Sequence, residues 1–276
     1  MMMPVQAGAG ALDYFPCRYG LSRAMFRGPE RDLSQPYVVA LGGSPTFGKY
    51  VARPYPALLE QAIGHPVANL GGLNAGLDFY LSDPAALRVA SRARVAVVQI
   101  TGADALSNPF YAVHVRRNDR FVVATQALRA LYPEVDFTDI HFTRHQLQVL
   151  ARTDAARFAD VRSALQATWL ARMRQLMAHL PLRRVLLWLA DAGPPVDAGG
   201  LDGTTGPLLV DDGMLAALAP ITTTLVEAVP SPMARAEGLA RMHVPQTEVE
   251  QARYLPPSAV HDEVAALLGP VVRGLL

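Results

Sequence analysis

A chain of 276 residues is long for one domain and short for two; with 51% apolar and 18% charged residues it can bury a large core and is not a disordered chain. The formal net charge of +1 gives no global attraction to nucleic acid or to an anionic membrane. Cys17 is the only cysteine, which excludes an intramolecular disulfide, and the chain does not open with a basic stretch and an apolar run, so the expectation is a cytoplasmic protein.

Residues 1–36 read as an irregular extension, rich in Gly, Pro and Arg, and Asp13-Tyr14-Phe15-Pro16 with Tyr19 predict that it packs on the domain formed by residues 37–276. Tyr37 to Leu41 is a short apolar run ending in Gly42-Gly43, the pattern of a buried strand and a tight turn. Pro54 to Ile63 predicts a helix with proline in its first turn and Gly64 at its end. Val67 to Leu70 is a second strand, closed by Gly71-Gly72, and Asp83 caps a helix running to about Arg92. Val95 to Ile100 is apolar almost throughout, as a parallel strand covered on both faces should be. Leu147 to Leu180 has helical periodicity with a break or cap at Thr153-Asp154. Val185 to Leu189 and Thr223 to Val229 follow as strands, and Pro257 to Leu276 as a closing helix.

Strands alternating with helices predict one α/β domain with a doubly wound, mostly parallel sheet, flavodoxin-like, with helices on both faces. Such sheets bind ligands beyond the carboxyl ends of their strands. Three glycine-containing loops fall there. Gly42 to Gly48 presents the hydroxyl and the backbone N–H of Ser44, Asn69 to Gly76 supplies glycine N–H groups and the amide of Asn74, and Gly102 to Asn108 carries Asp104 and Asn108. Serine needs a base to act as a nucleophile at neutral pH, and His261, at the start of the last helix, is placed by chain order to fold back over the strand ends.

Gly42-x-Ser44-x-Thr46-x-Gly48 after the first strand, Asn-x-Gly…Gly after the second and a late histidine before the final helix resemble the blocks of the SGNH/GDSL hydrolases. The resemblance implies an SGNH-type fold and an esterase or acyl-transfer reaction on a small polar or carbohydrate ester, without metal or cofactor. By it Ser44 is the nucleophile and His261 the general base. Ser44, Gly76 or Gly72, and Asn108 form the oxyanion hole, and Asn74, Asp104, Thr46 and Arg116 are candidate ligand contacts. The chain departs from the family pattern in three places: Gly43 replaces the usual acid, Ala103 the block-three asparagine, and Ser258 the acid three residues before the histidine. The whole chain also resembles a divergent bacterial family of alphaproteobacterial type, which implies no activity of its own.

Two other readings compete. The altered blocks suit a non-catalytic protein of the same fold that binds a small anionic or carbohydrate ligand. In the other, Gly43 to Lys49 satisfies Gly-x4-Gly-Lys with the only lysine of the chain, which would suit a nucleotide-binding transferase, although Tyr50 stands where Ser or Thr would hold Mg²⁺. His141 and His145 lie one helical turn apart without the further ligands zinc requires. The arginines at 116, 117 and 120, and those at 18, 23, 27 and 31, could meet an anion, while no aromatic residues interleave with them as a nucleic-acid surface would need. The expected partner is a small molecule, with no nucleic acid and no membrane, and a homo-oligomer remains open.

Overall fold

The computed structural model describes residues 12–201 and 206–276. Residues 1–11 of the extension and 202–205 of the loop after the fourth strand of the large sheet lie outside the described residues. In chain order the elements are β1 (Val38–Leu41), α1 (Ser44–Phe47), α2 (Tyr55–Ile63), β2 (Val67–Asn69), α3 (Leu77–Leu81), α4 (Pro84–Ser91) and β3 (Val95–Gln99). A hairpin of β4 (Tyr111–His114) and β5 (Arg117–Ala124) precedes α5 (Gln126–Leu131), α6 (Thr143–Thr153) and α7 (Ala155–Ala178). Then come β6 (Arg184–Leu189), α8 (Asp212–Ala216), β7 (Thr224–Ala228), α9 (Pro232–Ala236), α10 (Val249–Ala252) and α11 (Ser258–Leu275).

Five strands form a parallel sheet in the order β2-β1-β3-β6-β7, and β4 and β5 form a separate antiparallel pair. The order reverses at β1, so the loops after β1 and β3 diverge and leave a crevice at the carboxyl edge. Alternation along each strand separates two cores. Val39, Leu41, Ala96, Val98, Leu186 and Trp188 face a layer that includes α3, α4 and α7. Val38, Ala40, Val95, Val97, Val185 and Leu187 face α2 and α11. Each strand is apolar on both sides because both sides are covered.

Local signals set the helix ends. The Asp83 carboxylate accepts from the N–H groups of Ala85 and Ala86, and Gly64 closes α2 in the left-handed region. The run from 147 to 180 is two helices, with the Asp154 side chain capping the second. Residues 12–36 are tied to the domain: Tyr19 and Phe26 join the first core, and Ser22 donates to Asp83 (2.7 Å). Among the described residues, no helix is long and apolar enough to cross a membrane.

Candidate functional site

The turn after β1 is held from several sides. The Gly42 N–H donates to the Tyr80 hydroxyl (2.7 Å), and the Gly43 N–H to Gln99 Oε1 (3.1 Å). The same Gln99 oxygen accepts from the Thr46 hydroxyl (2.7 Å), whose oxygen lies 2.9 Å from that of Tyr55. Arg27 reaches from the extension to the carbonyls of Gly48 (2.6 Å), Val51 and Ala52 (2.8 Å each). Thr46 is therefore completely buried, and its hydroxyl supports the turn rather than meeting a ligand. A Cβ on Gly71 would stand 2.3 Å from the Phe47 nitrogen, so only glycine lets the loop after β2 close on α1.

Ser44 opens α1, and its backbone N–H has no intrahelical acceptor. Its hydroxyl donates to Asn74 Oδ1 (3.0 Å) and accepts from the Asn74 N–H (3.0 Å). Asn74 has φ 55, a conformation asparagine tolerates better than most residues. Its Nδ2 donates to Asp119 Oδ2 (3.2 Å), and its carbonyl accepts from the Asn118 N–H (3.0 Å). The β4–β5 hairpin thus locks onto the loop after β2, and Ser44, Asn74 and Asp119 form one chain of hydrogen bonds. Burial raises the Asp119 carboxyl above its ordinary value, opposed by Arg117 and Arg120. Its Oδ1 is buried with no partner among the described residues, an arrangement that favours the protonated form.

The other expected site residues have different neighbours. His261 lies on the buried face of α11, stacked on Tyr55, and its Nδ1 accepts from the Tyr55 N–H (3.1 Å). That bond puts the remaining ring proton on Nε2. Burial first, then the Arg27 charge, push its pKa down from 6.5 to about 3, so the ring is neutral and caps α2. The Gly76 N–H donates to Asn118 Oδ1 (2.7 Å) and the Gly72 N–H to the Gly42 carbonyl (3.0 Å). Asn108 is spent in its own loop, accepting from Phe110 and Tyr111 and donating to the Leu106 carbonyl. Neither these two glycine N–H groups nor the Asn108 amide is presented to an oxyanion. The Asp104 carboxyl, raised by burial, accepts from Thr143 (3.1 Å) and is not part of the cavity wall. Arg116 is exposed on the hairpin turn, with its backbone N–H on His114. Lys49 pairs with Glu248 (2.9 Å) and lies over the Tyr50 ring, so its ammonium does not line the cavity.

A cavity of about 460 Å³ lies over the strand ends, a volume suited to a small ligand. Ser44, Asn74 and Asp119 line it, and so do Arg144, Arg235, Arg253 and Tyr254, which the sequence reading did not single out. Asp119 lay within the arginine-rich run 114–120. The apolar flanks Tyr111–Val113 and Phe121–Val123 around that polar tip are the hairpin signal that could have marked it. The three wall arginines come from separate helices or loops, so no local pattern joins them. Among the described residues, no group of three or more His, Cys, Asp or Glu is arranged to hold a metal ion.

A family model described as a domain of unknown function, DUF6473, matches residues 1–276. No curated protein matches the chain. Among solved structures, a family two carbohydrate esterase from Cellvibrio japonicus is similar with a TM-score of 0.37 and 13% identity, over 91% of this chain and 64% of that one. A gut microbial diltiazem-metabolizing enzyme is similar with a TM-score of 0.36 and 11% identity, over 87% of this chain and 47% of that one. The chain spans less than two thirds of the length of either.

Proposed function

We propose that this chain, which belongs to the DUF6473 family, binds a small polar ligand, anionic or carbohydrate in type, in the cleft over Ser44 as a non-catalytic protein of SGNH-like fold. One observation carries this reading. The cleft sets a few polar side chains, among them Ser44, Asn74, Asp119 and three arginines, in a largely apolar wall, yet the hydroxyl of Ser44 is engaged with Asn74 while the histidine expected to activate it is bonded to Tyr55. An amide oxygen accepts a hydrogen bond but does not take the proton in acyl transfer. Attack by Ser44 would forgo general-base assistance, a loss of about 10²–10⁴ in rate. With the N–H groups of Gly72 and Gly76 also engaged, little remains to stabilise a tetrahedral oxyanion.

Ester hydrolysis by Ser44 is the second reading. Its support is the position of the residue, at the head of α1 with its own N–H turned out of the helix. Hydrolysis of a short-chain aryl ester by wild type and Ser44→Ala separates the two, with thermal-shift titration of sugar acids and neutral sugars alongside. Equal, near-background turnover with a ligand-induced shift is the expected outcome. Turnover that disappears in Ser44→Ala would replace binding with hydrolysis.

A further inference from the structure

The amino edge of the large sheet, opposite the cleft, carries a second hollow of about 540 Å³ between the extension and α4. Tyr37 is its hub. It stands directly before β1, and its carbonyl accepts from the N–H of Arg94 (2.8 Å), at the matching position before β3. Its hydroxyl donates to the Val89 carbonyl of α4 (2.7 Å). Arg88 and Arg92 flank Val89 one helical turn apart, so with Arg94 three guanidinium groups line one hollow. Burial raises the Tyr37 phenol and the Arg92 charge opposes that shift, which places the charge beside the ring.

No acid shares this wall. Glu30 and Asp32 line an adjoining hollow with Arg31, and the Asp32 carboxylate accepts from the Ser34 N–H (2.9 Å). Among the described residues, none of the side chains of Arg88, Arg92 and Arg94 makes a hydrogen bond or an ion pair. Like charges one helical turn apart oppose each other. The C-terminus of α4 supplies about half a negative charge, too little to balance three arginines. The hollow is therefore a cationic site without a counter-ion of its own.

The same helix end selects among anions. A C-terminus presents carbonyls, not the N–H groups that cradle a compact phosphate. The anion must be met by side-chain tips alone, and each guanidinium fork matches one planar carboxylate. Forks set out from separate backbone positions suit charges spread over a carbon skeleton, for which Leu33, Pro36 and Val89 supply apolar surface. We propose that this hollow binds a small aliphatic tricarboxylate, with one carboxylate on each arginine and the carbon chain against that surface.

Isothermal titration of citrate, acetate and inorganic pyrophosphate at about 0.15 M salt, where long-range attraction is screened, tests it. Citrate should bind at least about tenfold more tightly than acetate, and more tightly than pyrophosphate. Arg88→Gln, Arg92→Gln and Arg94→Gln, all at exposed positions, should each weaken citrate about tenfold. Arg174→Gln, exposed on α7 and carrying the same change in charge, should leave citrate binding unaltered. Acetate or pyrophosphate binding as tightly as citrate, an equal loss in Arg174→Gln, or no binding of citrate would overturn the inference. The cleft over Ser44 lies at the other edge of the sheet, so the two readings fail separately.

Discussion

Replacing His261 by glutamine tests the role given to that ring. The imidazole is 1% exposed, accepts from the Tyr55 N–H at 3.1 Å and has its pKa lowered to about 3, chiefly by burial. The unfolded chain, with an ordinary value near 6.5, takes up a proton that the folded chain refuses. This contribution to stability is therefore complete above pH 6.5 and is lost as the pH falls towards 3. The slope is at most about 1.4 kcal/mol per pH unit, so acidification from pH 7.5 to 5.0 removes about 2 kcal/mol through this one residue. A glutamine oxygen can accept the same N–H but cannot titrate. Urea denaturation followed by circular dichroism at the two pH values, on wild type and His261→Gln, reads the difference. The variant should lose about 2 kcal/mol less than wild type on acidification, and Asp119, common to both, cancels. An equal loss in the two proteins would refute the reasoning and return His261 to the list of groups free to act as a base near neutrality.

Tyr80→Phe removes the hydroxyl that accepts the buried Gly42 N–H, and calorimetry should find the protein less stable by about 1–3 kcal/mol. Gly42→Ala would set a Cβ 2.1 Å from the Thr46 hydroxyl and 2.5 Å from Gln99 Oε1. Overpacking should cost at least about 1–3 kcal/mol, read as a lower denaturation midpoint. Lys49→Met breaks a partly exposed ion pair and should change stability by less than about 1 kcal/mol. Neither it nor wild type should show a thermal shift with a nucleoside triphosphate and Mg²⁺; a shift in wild type that the variant lacks would restore the nucleotide reading.

The parallel strands were legible because burial on both faces writes a continuous apolar run, as in Val95 to Val98. Asp83 and Gly64 likewise announced helix ends through short-range chemistry. The β4–β5 hairpin was not read, because its outer face is exposed and its strand residues include Arg117 and Arg120. With it went Asn118 and Asp119, whose bonds to Gly76 and Asn74 span about forty residues of sequence and leave no local trace. The burial of His261 has a sign in the sequence that chain order alone passes over. Val260, His261, Val264, Ala265, Leu268 and Val272 form the buried stripe of α11, so helical spacing already turned the ring towards α2. Its bond to the first N–H of α2 joins elements two hundred residues apart and became visible only in the fold.

The most direct test of a ligand site at the strand ends is chemical-shift mapping of a sugar acid, galacturonate, on the ¹⁵N-labelled protein. Saturable shifts are expected at the backbone amides of Gly43, Ser44, Asn74, Asp119, Arg235 and Tyr254 and their neighbours. Shifts centred on any other surface, or none across the titration, would contradict it.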